Sequence, residues 1–195
     1  MITLYIIGNR ADRSSVFGIG TYIKELGMSL KRGDLQICFI HLNSDMQRFF
    51  QEVEDNITHW YIPRPKVRLK DDKKYIEYYF KNVVFIFRQY IKPADHLIFH
   101  LNYPHWNSLA KELKASFDCK IVLSVHFMSW SFEILGNVSQ LQNIIGKSED
   151  KLDQPSRQIK KLFNEEKGML YSVDKVISLS KHTTGLLQNL HNVKK

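Results

Sequence analysis

Short apolar runs, each about one strand long, alternate along this chain with longer stretches of helical period, and few folds accept that pattern. The runs are Ile2 to Ile7, Leu35 to Leu42, Ile57 to Ile62, His96 to Leu101, Lys120 to Val125 and Lys175 to Leu179. Most are close to continuously apolar, as strands buried on both faces must be. Periodicity predicts helices over Gly18 to Lys31, Asp45 to Glu54, Lys74 to Ile91, Trp106 to Phe117, Phe132 to Ile145, Arg157 to Tyr171 and Lys181 to Leu190. In the first of these Tyr22, Ile23, Leu26 and Leu30 share a face and Gly33 stops the run. The pattern implies an α/β, Rossmann-like parallel sheet with helices on both faces and right-handed crossovers. A length of 195 residues suits a single domain, 1–195.

With 44% hydrophobic and 25% charged residues the chain has the make-up of a folded, core-forming protein and excludes disordered and fibrous classes. Its formal charge of +8 favours anionic partners, such as phosphate, nucleotides or an acidic membrane, without choosing among them. Cys38 and Cys119 lie in or beside apolar runs, where cysteine acts as a small hydrophobe, so no disulfide is expected. Ile2 to Ile7 is too short for a secretory segment and is followed at once by Asn9, Arg10, Asp12 and Arg13, which points to the cytoplasm. Lys66 to Tyr75 leads into a segment where Tyr75, Tyr78, Tyr79, Phe80, Phe85, Phe87 and Tyr90 interleave with Lys81, Arg88 and Lys92. That mixture can lie on the inner face of a membrane, or can simply pack one face on the sheet and solvate its lysines. No nucleic-acid motif accompanies the charge, and nucleic acid is not expected as a partner.

Ligands of such sheets sit at the carboxyl ends of the strands, so the loops that follow them carry the candidates. Gly18 and Gly20 open the first helix, where backbone N–H groups can approach an anion; they can equally make a tight turn and close packing. A dinucleotide fingerprint fails, because Ile23 stands where a third glycine is needed and the second strand ends in His41, Leu42 and Asn43 rather than an acid. Gly146-Lys-Ser148 lacks the earlier glycine of a phosphate loop, Leu141 standing there. No nucleophile elbow, His-Glu-x-x-His helix, paired Cys-x-x-Cys or Asp-x-Asp clamp occurs, which removes hydrolase and zinc readings and leaves no expected metal or cofactor. His126 directly follows an apolar strand, so its ring should emerge at the ligand edge, able to donate to a sugar hydroxyl or phosphate. A neighbouring carbonyl could satisfy it instead. His100 and Asn102 stand at the corresponding end of the preceding strand, either to meet a substrate or to cap the next turn.

Taken in order, Phe17-Gly-Ile-Gly-Thr-Tyr-Ile-Lys-Glu-Leu26, His96-Leu-Ile-Phe-His-Leu-Asn102, Ile121-Val-Leu-Ser-Val-His126 and Val173-Asp-Lys-Val-Ile-Ser-Leu-Ser180 resemble the N-terminal half of a GT-B glycosyltransferase of the family-4 type. The resemblance spans essentially the whole chain. It implies the acceptor-recognising domain of a retaining, metal-independent enzyme, of the kind used in bacterial polysaccharide biosynthesis. Such an enzyme moves a sugar from a nucleotide-sugar co-substrate to a glycan, lipid-linked or peptide acceptor. It further implies His126 beside the donor sugar as the catalytic contact, His100 on the acceptor side, and Gly18 and Gly20 near the donor phosphates and the acceptor, while Asn102 and Ser180 are substrate-binding candidates from their places after the strands. Val16 and Phe17 stand where many relatives carry glycines, which makes Arg10 and Arg13 candidates for the anion contact. The donor-gripping C-terminal domain, with its Glu-x7-Glu signature, is absent from this chain, so the expectation is a protein about twice as long whose isolated front half is inactive. The alternative is a non-catalytic Rossmann-like domain that binds an anion or a partner.

Overall fold

The computed structural model describes residues 2–9, 18–31, 35–66, 72–92 and 96–193. Strands β1 (Ile2–Asn9), β2 (Leu35–Ser44), β3 (Phe50–Glu54), β4 (Ile57–Pro63), β5 (His96–Leu101), β6 (Cys119–Val125) and β7 (Lys175–Ser178) alternate with helices. These are α1 (Gly18–Leu30), α2 (Asp72–Tyr90), α3 (Asn107–Ser116), α4 (Ser129–Glu133), α5 (Val138–Ile145), α6 (Gln154–Ser172) and α7 (Lys181–His191). The strands form a seven-stranded sheet in the order β3-β4-β2-β1-β5-β6-β7. β1 runs parallel to β2 and β5, and β2 parallel to β4, while β3 is antiparallel to β4 at one edge. The expected α/β, Rossmann-like class is therefore correct.

Two compact units share the chain, one of Met1–Asn102 and Ser108–Val122, the other of Tyr103–Asn107 and Leu123–Lys195. In the first, side chains alternate across the sheet with the period of two that a strand imposes. Leu4, Ile6, Ile37, Phe39 and Ile57 face α1, whose Ile23, Leu26 and Leu30 pack against them. Tyr5, Trp60 and Phe99 point to the other face, where Phe87 of α2 lies 5.9 Å from Trp60 and 6.2 Å from Phe99, ring centre to ring centre. In the second, α6 buries Ile159, Phe163, Met169 and Leu170 and packs on α4 and α5. Cys38 and Cys119 are both free and buried, as expected of small hydrophobes.

Two expected helices are corrected. Asp45 to Glu54 is not a helix: Asn43, with a φ of 52°, lies in an irregularity of β2 between His41 and Ser44, the strand ends at Ser44, and Phe50–Glu54 runs antiparallel on β4. The two-residue turn between them, Asp55-Asn56, has φ of 52° and 61°, the left-handed pair that matches the twist of a hairpin. The expected helix over Phe132 to Ile145 is two, α4 and α5. The carbonyl of Ser131 accepts from the Gly136 N–H at 2.8 Å while Leu135 takes a φ of 49°, a Schellman closure with leucine at the position glycine usually holds. Asn137 then restarts the chain as a helix, its side chain accepting from the Gln140 N–H at 3.0 Å.

The tightest point between α1 and the sheet is Gly27, where an added Cβ would lie 2.1 Å from Cζ of Phe39. Gly27→Ala should lower stability by about 1 to 3 kcal/mol despite the better helix propensity of alanine, because a packed ring cannot retreat. Gly185→Ala in α7, where a Cβ would meet nothing within 4 Å, should instead raise stability by up to about 1 kcal/mol. Urea denaturation of both variants reads the contrast, and equal effects would refute this packing.

Candidate functional site

The carboxyl ends of the strands in the first unit are tied together by side-chain amides. Asn102, fully buried just beyond β5, donates from Nδ2 to the carbonyl of Ile7 at 3.2 Å. Asn43 at the end of β2 donates from Nδ2 to Oδ1 of Asn9 at 3.0 Å, and its backbone N–H donates to the Tyr79 hydroxyl at 2.8 Å. Burial of that phenol raises its pKa, so it stays a neutral partner. Asn102 thus joins β5 to β1 through its side chain.

His100 is 3% exposed and presents its ring edge-on to Tyr22 of α1, 6.1 Å between centres. It lies in the layer between sheet and helix. Gly18 is exposed, and a Cβ there would meet nothing within 4 Å among the described residues. The close-packing glycines of this layer are Gly27 and Gly8, where a Cβ would come within 3.3 Å of Ile23 Cδ1. Gly20 sits half-buried in the first turn of α1. Arg10 and Arg13 lie outside the described residues.

Sequence reasoning missed a column of rings on the α1 side of β2 and β4. His41 and His59 stack at 5.4 Å with 8° between planes, Nε2 of one 3.1 Å from Nδ1 of the other, and Tyr61 stacks on His41 at 4.7 Å. The Tyr61 hydroxyl donates to Glu52 at 2.7 Å. The signal was the period-two spacing of 39 and 41 on one strand and 59 and 61 on the next, legible once the two strands are known to be neighbours.

In the second unit His126 follows β6 directly and is half-buried. Burial lowers its pKa, which keeps the imidazole neutral near pH 7 with one nitrogen donating and the other accepting. The residues after it are firmly held. Phe127 packs on Phe132 at 5.3 Å, and the Met128 carbonyl accepts from both the N–H and the hydroxyl of Ser131, at 3.0 and 2.6 Å. The N–H of Ser129 donates to Oε1 of Glu166 on α6, so a remote carboxyl caps α4 where Met128 cannot. Glu166 is 1% exposed, its other oxygen has no hydrogen-bond partner among the described residues, and burial pushes its pKa up to about 7 against the pull of Ser129. Nothing in the sequence marked it: it reads as one of the polar residues of a surface helix. Ser180 is exposed and caps α7, accepting from the Thr183 N–H at 3.0 Å and donating to the Thr183 hydroxyl at 2.9 Å. Among the described residues no three His, Cys, Asp or Glu are grouped to hold a metal ion.

No family model and no curated protein matches the sequence. Solved structures do match the fold. Sucrose-phosphate synthase from Thermosynechococcus elongatus aligns over 97% of this chain and 45% of its own, at 14% identity and a TM-score of 0.63. A trehalose-6-phosphate protein from E. coli, solved bound with UDP-2-fluoro glucose, aligns over 99% of this chain and 43% of its own, at 13% identity and a TM-score of 0.56. An α,α-trehalose-phosphate synthase (UDP-forming) from Burkholderia vietnamiensis aligns over 100% and 44%, at 10% identity and a TM-score of 0.52. This chain has the α/β fold of one part of those proteins, and spans less than half the length of each.

Glu166 supplies a test of the geometry around His126. The folded chain holds its proton up to about pH 7, the unfolded chain only to about 4.5, so its contribution to stability is complete below about pH 4.5 and is lost as pH rises through about 7. Glu166→Gln cannot titrate. Relative to the parent, the variant should therefore gain stability with rising pH, on the order of 3 kcal/mol between pH 4 and 8, read from urea denaturation at each pH. His191, buried against Phe163 and lowered to about 4, titrates in the opposite sense: its contribution is present above 6.5 and lost as pH falls through about 4. The difference between parent and variant cancels it. A pH-independent difference would mean Glu166 ionises normally.

Proposed function

We propose that the chain is the N-terminal, acceptor-side domain of a retaining, metal-independent glycosyltransferase of the GT-B type. The observation that carries the reading is the fold match over 97% of the chain to a sucrose-phosphate synthase, joined to the family-4-like order of its strand-end motifs. A UDP-forming synthase of a disaccharide phosphate transfers a sugar from a nucleotide to a sugar phosphate. A nucleotide sugar is accordingly the donor proposed here, and a sugar phosphate joins the glycan, lipid-linked and peptide acceptors.

The chemistry needs little from protein bases. As the bond from the anomeric carbon to the diphosphate breaks, the acceptor oxygen bonds to the same face of that carbon, and the acceptor's proton passes to the departing phosphate. His126, neutral and carried on a firmly held loop, donates a hydrogen bond to the donor sugar as charge develops at the ring. Gly18 and Gly20, with Arg10 and Arg13, supply N–H groups and positive charge toward the diphosphate. Asn102 and His100 shape the acceptor side from beneath. The separate half that grips the nucleotide is required for turnover, and the 195-residue chain alone is inactive in this reading.

The test is nucleoside diphosphate release by the native protein isolated from its source cells, with a panel of nucleotide sugars and acceptors that includes sugar phosphates. Release should be unaffected by EDTA, and His126→Ala should lower kcat more than about tenfold with a smaller change in KM. Unchanged kinetics in the variant would take His126 out of the site. No release with any donor, from a native product no longer than 195 residues, would replace the transferase reading with that of an anion-binding domain.

A further inference from the structure

The side of α2 turned away from the sheet carries an arrangement that packing does not explain. Tyr79, Phe80, Val83, Val84 and Phe87 are buried on its inner side, with Ile91 just beyond its end. Residues 78, 81, 85 and 88 follow the helical repeat along the opposite side, and Lys92 lies two residues beyond the end of the helix. There Tyr78 is 58% and Phe85 63% exposed, and Lys81, Arg88 and Lys92 are exposed around them. From 78 to 92 there is no Asp or Glu, and the nearest acid, Glu77, is half-buried on the flank. A solvated face places charge outward and keeps phenylalanine in; this face holds two aromatic rings in water inside a frame of cations.

We infer that this face of α2 docks on an anionic membrane surface. The two rings, a helical repeat of seven residues apart and so about 10 Å along the axis, enter the acyl boundary. Lys81, Arg88 and Lys92 meet the lipid phosphates, the charge complement of a chain at +8. The face is a single convex helix. A bilayer accommodates that shape, whereas single-stranded nucleic acid is held in a groove with rings as stacking floors. No described helix is long and apolar enough to cross a membrane, so the contact is peripheral. The inference stands on α2 alone and does not depend on the transferase reading.

Flotation of the 195-residue chain with vesicles of phosphatidylcholine, and of phosphatidylcholine mixed with phosphatidylglycerol, tests it. Binding to the anionic vesicles should exceed binding to the neutral ones by about tenfold or more and should fall with added salt. Lys81→Ala with Arg88→Ala should lower anionic binding about tenfold or more, while Lys111→Ala with Lys161→Ala, which removes the same charge from exposed positions elsewhere, should change it less than about twofold. Tyr78→Ser with Phe85→Ser, which leaves the charge intact, should also lower it by about fivefold or more. Circular dichroism confirms that each exposed-site variant stays folded. Equal losses from the two charge pairs, or no loss on removing the rings, would overturn the inference. So would a single-stranded oligonucleotide that binds with the same variant sensitivity while vesicles do not, which would assign the face to nucleic acid.

Discussion

Because Leu4 and Ile6 pack beneath α1 while Tyr5 stacks with Phe99 and meets Trp60 on the other face, β1 is buried on both sides. A strand in that position can have no free register. A slip of one residue would exchange its two faces, driving Tyr5 into the space Leu4 and Ile6 fill beneath α1. The pairing of β1 with β2 on one side and β5 on the other then fixes where those strands end. Everything placed at the carboxyl edge of the first unit inherits its position from this double burial. Gly27 is part of the same constraint: α1 lies close enough to Phe39 that no side chain fits between them.

Once the strand ends are fixed, their polar groups have to be satisfied: the Asn102 amide serves the Ile7 carbonyl and the Tyr79 hydroxyl the Asn43 N–H, while the Asn43 amide ties to the Asn9 side chain. Their position at the ligand edge does not by itself make them ligand groups. Asn102 rigidifies the edge, and His100 is turned inward to Tyr22. On the described part of that edge the start of α1 at Gly18 is exposed. In the second unit the same division holds. Glu166 and the turn at Met128 fix the loop, and His126 just before it keeps a half-buried ring.

β1, β2, β4, β5 and β6 and the longer helices were legible in the sequence because each buries apolar residues, and burial writes a period into the residues, whereas β7 buries none and was legible only as a short apolar run. β3 was not, because every one of its residues is exposed and no period survives where nothing is buried. Its signature lay in the turn, Asp55-Asn56, which lacks the glycine that usually announces a hairpin. The break before α5 was hidden for a similar reason: the first of two residues with positive φ is Leu135, with Gly136 the second, so Leu135 reads as a continuation of the helix. The roles of Asn102 and Glu166 depend on partners far along the chain, Ile7 and Ser129, and no local pattern encodes such pairs.

Burial also explains why the ionisable groups of the second unit differ so much from one another. Transfer from water penalises whichever form is charged, so the same cause raises the carboxyl of Glu166 and lowers the imidazoles of His126 and His191. At neutral pH the two histidines are neutral, and the carboxyl sits near its midpoint. A neutral His126 is the form that donates one hydrogen bond and accepts another without adding charge to the loop. The capping carboxyl behind it is the group whose charge still varies there, and its bond to the Ser129 N–H strengthens when it ionises. Ionisation thus strengthens the bond to the Ser129 N–H while its buried charge costs the fold stability, so the two effects of one proton oppose each other at this side chain.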